Sequence, residues 1–300
     1  MSNVPDVPKV ELKKPTVFIL GAGASHPYGF PLGMELKAQM IARCSQPQAR
    51  KILRSVGFDE DIIREMILAL RGTYLPTIDI FLEKKTRFRS LGAYLIAYTF
   101  LPREKHDALF PQHDWYAFLY KFLNFESDSP SGSGISFVTL NYDRSLEHFL
   151  RKSIDFNCPD HLIDSAYAKL RQIEIVHAHG SLGEYPAVSY GHGPDSEEVL
   201  RSAAERIKIV SDSLDGSRDF QRSQRLVGEA NNVIFVGFGY DPRTLNLLFK
   251  DCTPTEKNVF GTAFQLDEGQ RRETGAFFSE RIYLGEISAT AREFLPSILL

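Results

Sequence analysis

Ile135 to Glu147 reads ISFVTLNYDRSLE. Its first half is apolar and β-branched, the pattern of a strand buried on both faces. The run stops on Asn141-Tyr142-Asp143 and passes into a helical pattern in which Leu146, Phe149 and Leu150 share a face. A strand that ends on polar side chains just before a helix delivers them to the carboxyl edge of a sheet, where open α/β sheets bind ligands. Thr16 to Ser25 (TVFILGAGAS) and Glu174 to Leu182 (EIVHAHGSL) repeat this arrangement, and Val233 to Pro242 (VIFVGFGYDP) adds a glycine-rich strand end.

Strands are predicted at 16–21, 135–140, 173–178, 232–237, 258–265 and 281–284, with helical patterns between them. This alternation predicts an α/β fold: a Rossmann-like, mostly parallel sheet of about six strands with helices on both faces. The strand signal is missing from about 35 to 128. There, 59–70 places Ile62, Ile63, Met66, Ile67 and Leu70 on one helical face, 91–101 is apolar nearly all round, and 114–125 spaces Trp115, Phe118, Leu119 and Phe122 as a helix would. The expected organisation is a polar tail over 1–14 and one domain over 15–300. A helical insertion over about 35–128 is closed by the loop from Ser127 to Gly134.

Composition sets limits on function. A formal charge of -3 argues against a general nucleic-acid surface, which needs a basic excess. No run approaches the ~18 apolar residues of a spanning helix, and the N-terminus lacks an apolar signal core, so no membrane attachment is expected. The three cysteines, Cys44, Cys158 and Cys252, are far apart in sequence and suggest a reducing compartment, hence a cytoplasmic protein.

Each motif has a plain reading beside a functional one. Strand followed by Gly-x-Gly is common in α/β proteins, and the third glycine of the dinucleotide fingerprint is replaced by His26. Its glycines would still let a diphosphate approach the backbone, with the N–H groups of the following helix as donors. Asn141 and Asp143 suit helix capping as well as catalysis, Asp143 being the stronger cap candidate. His177 and His179 are two apart, so on a strand they point to one face; one can be catalytic and the other structural, or the pair can bind metal. His26 and His192 are weaker candidates.

Taken together, GAGAS, Asn-Tyr-Asp, His-Gly-Ser-Leu and the later Gly-Phe-Gly resemble the sirtuin-like family, the silent-information-regulator fold of NAD-consuming enzymes. The resemblance covers the sheet-forming parts and leaves the insertion unmatched. It implies that Gly21, Ala22, Gly23, Ala24 and Ser25 hold the NAD diphosphate, that Asn141, Asp143 and His179 are catalytic, and that Gly180, Gly237, Gly239 and Asp241 contact the cofactor. Gly29-Phe30-Pro31 is similar to the Gly-Ile-Pro of deacylases, but Leu32-Gly33-Met34 stands where they carry Asp-Phe-Arg. Their two CxxC zinc pairs are missing as well, so a four-thiolate zinc is excluded and no metal is expected.

The implied activity is hydrolysis of NAD at the nicotinamide–ribose bond to nicotinamide and ADP-ribose. In zinc-less members of the family this is associated with bacterial anti-phage defence by NAD depletion. Protein deacylation and a non-catalytic NAD or ADP-ribose sensor are the alternatives. The missing fingerprint glycine argues against a dehydrogenase. Asp267 would accept from an adenosine ribose hydroxyl, and His177→Ala should leave cleavage intact. The insertion, with Tyr94, Tyr98, Phe100, Trp115, Tyr116 and Phe118, is expected to regulate through a homo-oligomer or a separate sensor protein, and to supply no reacting groups.

Overall fold

The computed structural model describes residues 7–10, 14–75, 77–111, 114–127, 134–194, 196–209 and 216–299. Six strands form one sheet: β1 (Thr16–Leu20), β2 (Ile135–Thr139), β3 (Glu174–His177), β4 (Asn232–Val236), β5 (Asn258–Gly261) and β6 (Ile282–Leu284). All pair in parallel in the order β3-β2-β1-β4-β5-β6. Chain direction across the sheet reverses beside β1, so the loops leaving β1 and β4 lie side by side at the switch point where doubly wound sheets take ligands.

The central strands are apolar throughout because both faces are covered. Phe18 and Leu20 of β1 join Phe137 of β2 in one core, while Val17 and Ile19 join Val138, Val233 and Phe235 in a second core on the other face. Among the described residues, seven α-helices run between β1 and β2: α1 (Ala22–Ser25), α2 (Gly33–Cys44), α3 (Pro47–Ser55), α4 (Glu60–Gly72), α5 (Ile78–Lys84), α6 (Arg89–Phe100) and α7 (Trp115–Leu123). The remaining helices are α8 (Ser145–Asn157), α9 (Ile163–Leu170), α10 (Glu197–Arg206), α11 (Arg218–Glu229), α12 (Pro242–Leu248), α13 (Glu268–Phe277) and α14 (Ala291–Leu299).

The strandless region is helical, yet it does not stand apart from the sheet. Its buried side chains belong to the same continuous core as Phe18 and Phe137. Tyr94, Tyr98, Phe100, Trp115 and Tyr116 are all at most 8% exposed, so these five rings are core and offer no exposed interface. Two boundaries also move. β5 ends at Gly261, since the chain turns at Gln265 with φ 59°, and the tail is anchored where the Val10 N–H donates to the Ile298 carbonyl at 2.9 Å. Residues 128–133 of the predicted closing loop lie outside the described residues. Among the described residues no helix is long and apolar enough to cross a membrane.

Candidate functional site at the carboxyl edge of the sheet

The glycines after β1 and β4 fit together. Gly21 and Gly23 face Gly237, and a Cβ on either would stand 2.6 Å from the Gly237 carbonyl oxygen or 2.8 Å from its Cα. Gly237 itself has φ 59°, a left-handed conformation that favours glycine, and a Cβ there would meet the Ala24 nitrogen at 2.0 Å. The N–H of Gly23 donates to the Gly237 carbonyl at 2.9 Å and that of Ala24 to the Gly21 carbonyl at 2.9 Å. The expectation of a helix N-terminus with open donors is therefore corrected. The helix is four residues long and part of its N–H set is taken up by the neighbouring loop. Gly237→Ala is expected to cost about 1–3 kcal/mol through backbone strain alone, and more through the clash, as read in chemical denaturation. Unchanged stability would mean that the two loops are not closely packed in solution.

Asn141 is 8% exposed and lies just beyond β2. Its Nδ2 donates to the Gly21 carbonyl at 2.9 Å and to the Ser25 hydroxyl at 3.0 Å, tying the ends of β1 and β2 together. Both amide protons are thereby used, which leaves the carbonyl Oδ1 as the part of this side chain able to receive a hydrogen bond from a ligand. Trp115 of α7 fastens the same loop from below, donating through Nε1 to the Ala24 carbonyl at 2.9 Å.

Asp143 holds the start of α8. Its Oδ1 accepts from the Ser145 N–H at 3.2 Å in the first turn of α8, and also from the Ser145 hydroxyl, whose oxygen lies 2.7 Å from that of Tyr116. The other oxygen, Oδ2, is buried with no hydrogen bond of good geometry. Burial pushes the carboxyl up to about 6, with the Ser145 and Ser25 hydroxyls opposing. The unfolded chain loses this proton near 3.8 and the folded one near 6, so the ionised side chain weakens the fold progressively as pH rises between those values. Asp143→Asn keeps the Oδ1 acceptor and removes the charge. It should raise the melting temperature at pH 7.5 and have little effect at pH 4; an equal change at both pH values would show that charge is not the cause.

The two histidines separate. β3 ends at His177, the chain turns, and the Gly180 N–H donates back to the His177 carbonyl at 3.1 Å, so His179 is no strand residue and the one-face reading fails. His177 Nδ1 faces the Asn141 carbonyl at 3.0 Å and Nε2 faces Glu147 Oε1 at 2.6 Å. Both partners only accept, so both ring nitrogens must carry protons. Burial lowers the His177 pKa, but Glu147 by charge and hydrogen bond more than offsets it, and the net shift is upward from 6.5. The hydrogen bonding and the upward shift both favour the cationic form of His177 over a role as base.

His177→Ala would strand the largely buried Glu147 and loosen Asn141, so this variant is expected to lose stability. Because the folded pKa is raised, the stability lost in this variant should be largest below pH 6.5 and should shrink as pH rises through the folded pKa. Denaturation curves across pH 5–9 check the sign.

His179 differs. It is 7% exposed, and burial carries its pKa below 6.5 against smaller upward pulls from Asp79 and the Leu140 backbone. The ring is neutral at pH 7 and able to accept a proton. Tyr142 lies beside it, ring centroids 6.5 Å apart, and donates through its hydroxyl to Asp79 Oδ1 at 2.9 Å. Asp79 belongs to α5, inside the insertion. One turn on, Glu83 forms a two-pronged pair with Arg243 of α12 at 2.6 and 2.8 Å. Asp79 and Glu83, four apart on one helix face, thus link α5 to the loop after β2 and to the helix after β4.

Other predicted positions are placed as follows. Gly180 has φ 75° and leaves no room for a Cβ, which would stand 1.9 Å from the Arg206 carbonyl oxygen. Gly239 faces open space. Asp241 caps α12, accepting from the Thr244 N–H at 2.9 Å, and Asp267 caps α13, accepting from the Gln270 N–H at 2.8 Å; both carboxylates have structural duties. His26 is engaged with the Phe30 carbonyl at 3.1 Å, and His192 is exposed in its loop.

A cavity of about 800 Å³ opens beside His177, with Glu147, Gly180, Tyr185 and Arg206 in its wall. Asn141, Asp143 and His179 do not line it, being packed inward. Asp79, Glu147 and Ser145 are site residues that sequence reasoning missed. Glu147 was findable, lying four positions after Asp143 in the first turn of the helix whose start was read correctly. In comparison with known proteins, no family model and no curated protein matches this chain.

Proposed function

We propose that the protein hydrolyses NAD to nicotinamide and ADP-ribose. The observation that carries this reading is geometric: Asn141, whose one remaining polar atom is an acceptor, stands near a buried His179, while His177 is held between two acceptors that favour its cationic form. Nicotinamide leaves neutral from a cationic pyridinium, so no acid is needed for the leaving group. The ribosyl centre is oxocarbenium-like, as in glycoside hydrolysis generally. What the protein must supply is an oriented water and a base. Asn141 Oδ1 accepts a hydrogen bond from that water or from a ribose hydroxyl, and His179 takes the proton. The Asp143 carboxylate lies beside Asn141, where negative charge favours the developing cation.

The loops at Gly21 to Ser25 and Gly237 to Asp241 occupy the switch point, where the diphosphate of NAD would lie. Because Gly23 donates to Gly237, NAD binding on this reading requires the two loops to part. Such a closed resting state suits an enzyme whose unrestrained activity would drain the cell of NAD. It agrees with the defence role that the family resemblance implies, with release by self-association or by a separate partner chain. Purified protein incubated with NAD should yield nicotinamide and ADP-ribose in equal amounts, with Asn141→Ala as the blank. NAD that stays intact under all assembly conditions, with or without an acylated peptide, would overturn the proposal.

A further inference from the structure

We propose that Asp79, supplied by the helical insertion, is a positioning residue for His179: its carboxylate, fixed by the hydroxyl of Tyr142, whose ring lies beside the histidine, stabilises the imidazolium that forms when His179 takes the proton from water. This rests on the hydrolase reading for its kinetic consequence, but not for its electrostatic one.

The argument begins with placement. Asp79 sits in the first turn of α5, which Thr77 caps by accepting from the Ile80 N–H at 3.3 Å. Its Oδ1 accepts from the Tyr142 hydroxyl at 2.9 Å, and Tyr142, 5% exposed, lies between the catalytic candidates Asn141 and Asp143. The second anchor, Glu83 to Arg243, keeps α5 from turning about that contact. A seven-residue helix held at both ends across the carboxyl edge of the sheet is a means of placing one carboxylate.

The charges around His179 leave Asp79 that task. Tyr142 is kept protonated by burial and by Asp79 itself. Lys208 meets His179 through its backbone N–H, 2.8 Å from the His179 carbonyl, while its ammonium is paired with Asp219. His177, the nearby cation, is paired with Glu147. Asp79 is therefore the carboxylate positioned to meet a new positive charge on His179.

During hydrolysis the water oxygen bonds to the ribosyl carbon as its O–H bond breaks toward His179. The electrons of the carbon–nitrogen bond leave with nicotinamide and neutralise its ring. The proton held by His179 is the only charge the protein itself gains, and a carboxylate beside it lowers the barrier without touching substrate.

The test separates charge from structure. Asp79→Asn retains an acceptor for Tyr142 and deletes the charge; Asp79→Glu restores it; Glu83→Gln weakens the other α5 anchor without changing charge beside His179. His179 is titrated by NMR of the histidine ring in each protein. Asp79→Asn should move its midpoint down by about one pH unit, Asp79→Glu should recover most of the shift, and Glu83→Gln should leave it in place.

In NAD cleavage Asp79→Asn should lower kcat roughly 10- to 10²-fold with KM nearly unchanged, and carry the acid limb of the rate profile to lower pH. An unmoved His179 midpoint in Asp79→Asn overturns the proposal. So does an equal shift in Glu83→Gln, which would trace the effect to displacement of α5. A wild-type protein that does not cleave NAD overturns the hydrolase reading and leaves the NMR titration to decide the role of Asp79.

Discussion

Asn141→Ala is expected to reduce NAD cleavage by about 10²- to 10³-fold, the loss typical of a preorganised polar group at a reacting centre. The same change deletes the amide bonds to the Gly21 carbonyl and the Ser25 hydroxyl, at 2.9 and 3.0 Å. At about 1 kcal/mol each, they set a stability loss on the order of 2 kcal/mol, enough to detect but too small to unfold a typical domain. Ser25→Ala serves as the comparison, since it removes one of the two bonds and leaves Oδ1 in place. Activity should fall far more in the asparagine variant than stability accounts for. If Ser25→Ala and Asn141→Ala lose activity in step with stability, Asn141 acts only as a strut between β1 and β2, and the hydrolase reading loses its water-holding group.

How far the sequence discloses this site depends on whether a contact is local or crosses the chain. The strand ends were legible because the short, wholly apolar runs of β1 and β4, and the abrupt change from apolar to polar at Asn141, are local signals. Asn141 and Ser25 come together because β1 and β2 are neighbours in the sheet, a pairing that the alternation of elements does not specify. For His177 and His179 it is the shared face that fails. That placement needs the strand to continue, whereas the chain turns at Ala178 and sends His179 inward.

Asp79 left no signal of its own. It lies in a short helix with no clean amphipathic pattern, and its partner Tyr142 is 63 residues further along the chain. The insertion aromatics were recognisable as helical, but period alone does not say which helix face meets the sheet. Tyr28 stacking on Tyr116, with ring centroids 4.1 Å apart, shows that for α7 it is the core that wins.

Glu104→Ala is expected to give the largest loss of stability, about 3–5 kcal/mol, because it strands the guanidinium of Arg144, whose side chain is wholly buried. Arg144 follows Asp143 directly and has three duties. It pairs through Nε and one terminal nitrogen with both oxygens of Glu104, and it donates to the Val188 carbonyl at 2.6 Å and to the Ser189 carbonyl at 3.1 Å. The pair therefore joins the insertion, the start of α8 and the loop after His179 at one point.

Two buried charges gain little net stability when paired, since desolvation opposes their attraction, whereas one without the other is costly. The single variant Glu104→Ala and the double variant Glu104→Leu with Arg144→Met should thus behave differently. The double variant is expected to recover most of the lost stability in urea denaturation but not NAD cleavage, because the 188–189 carbonyls and the segment carrying Asp143 lose their common anchor. If the double variant is as unstable as the single one, the pair contributes through packing and not charge. If it also regains activity, the anchor has no part in shaping the site.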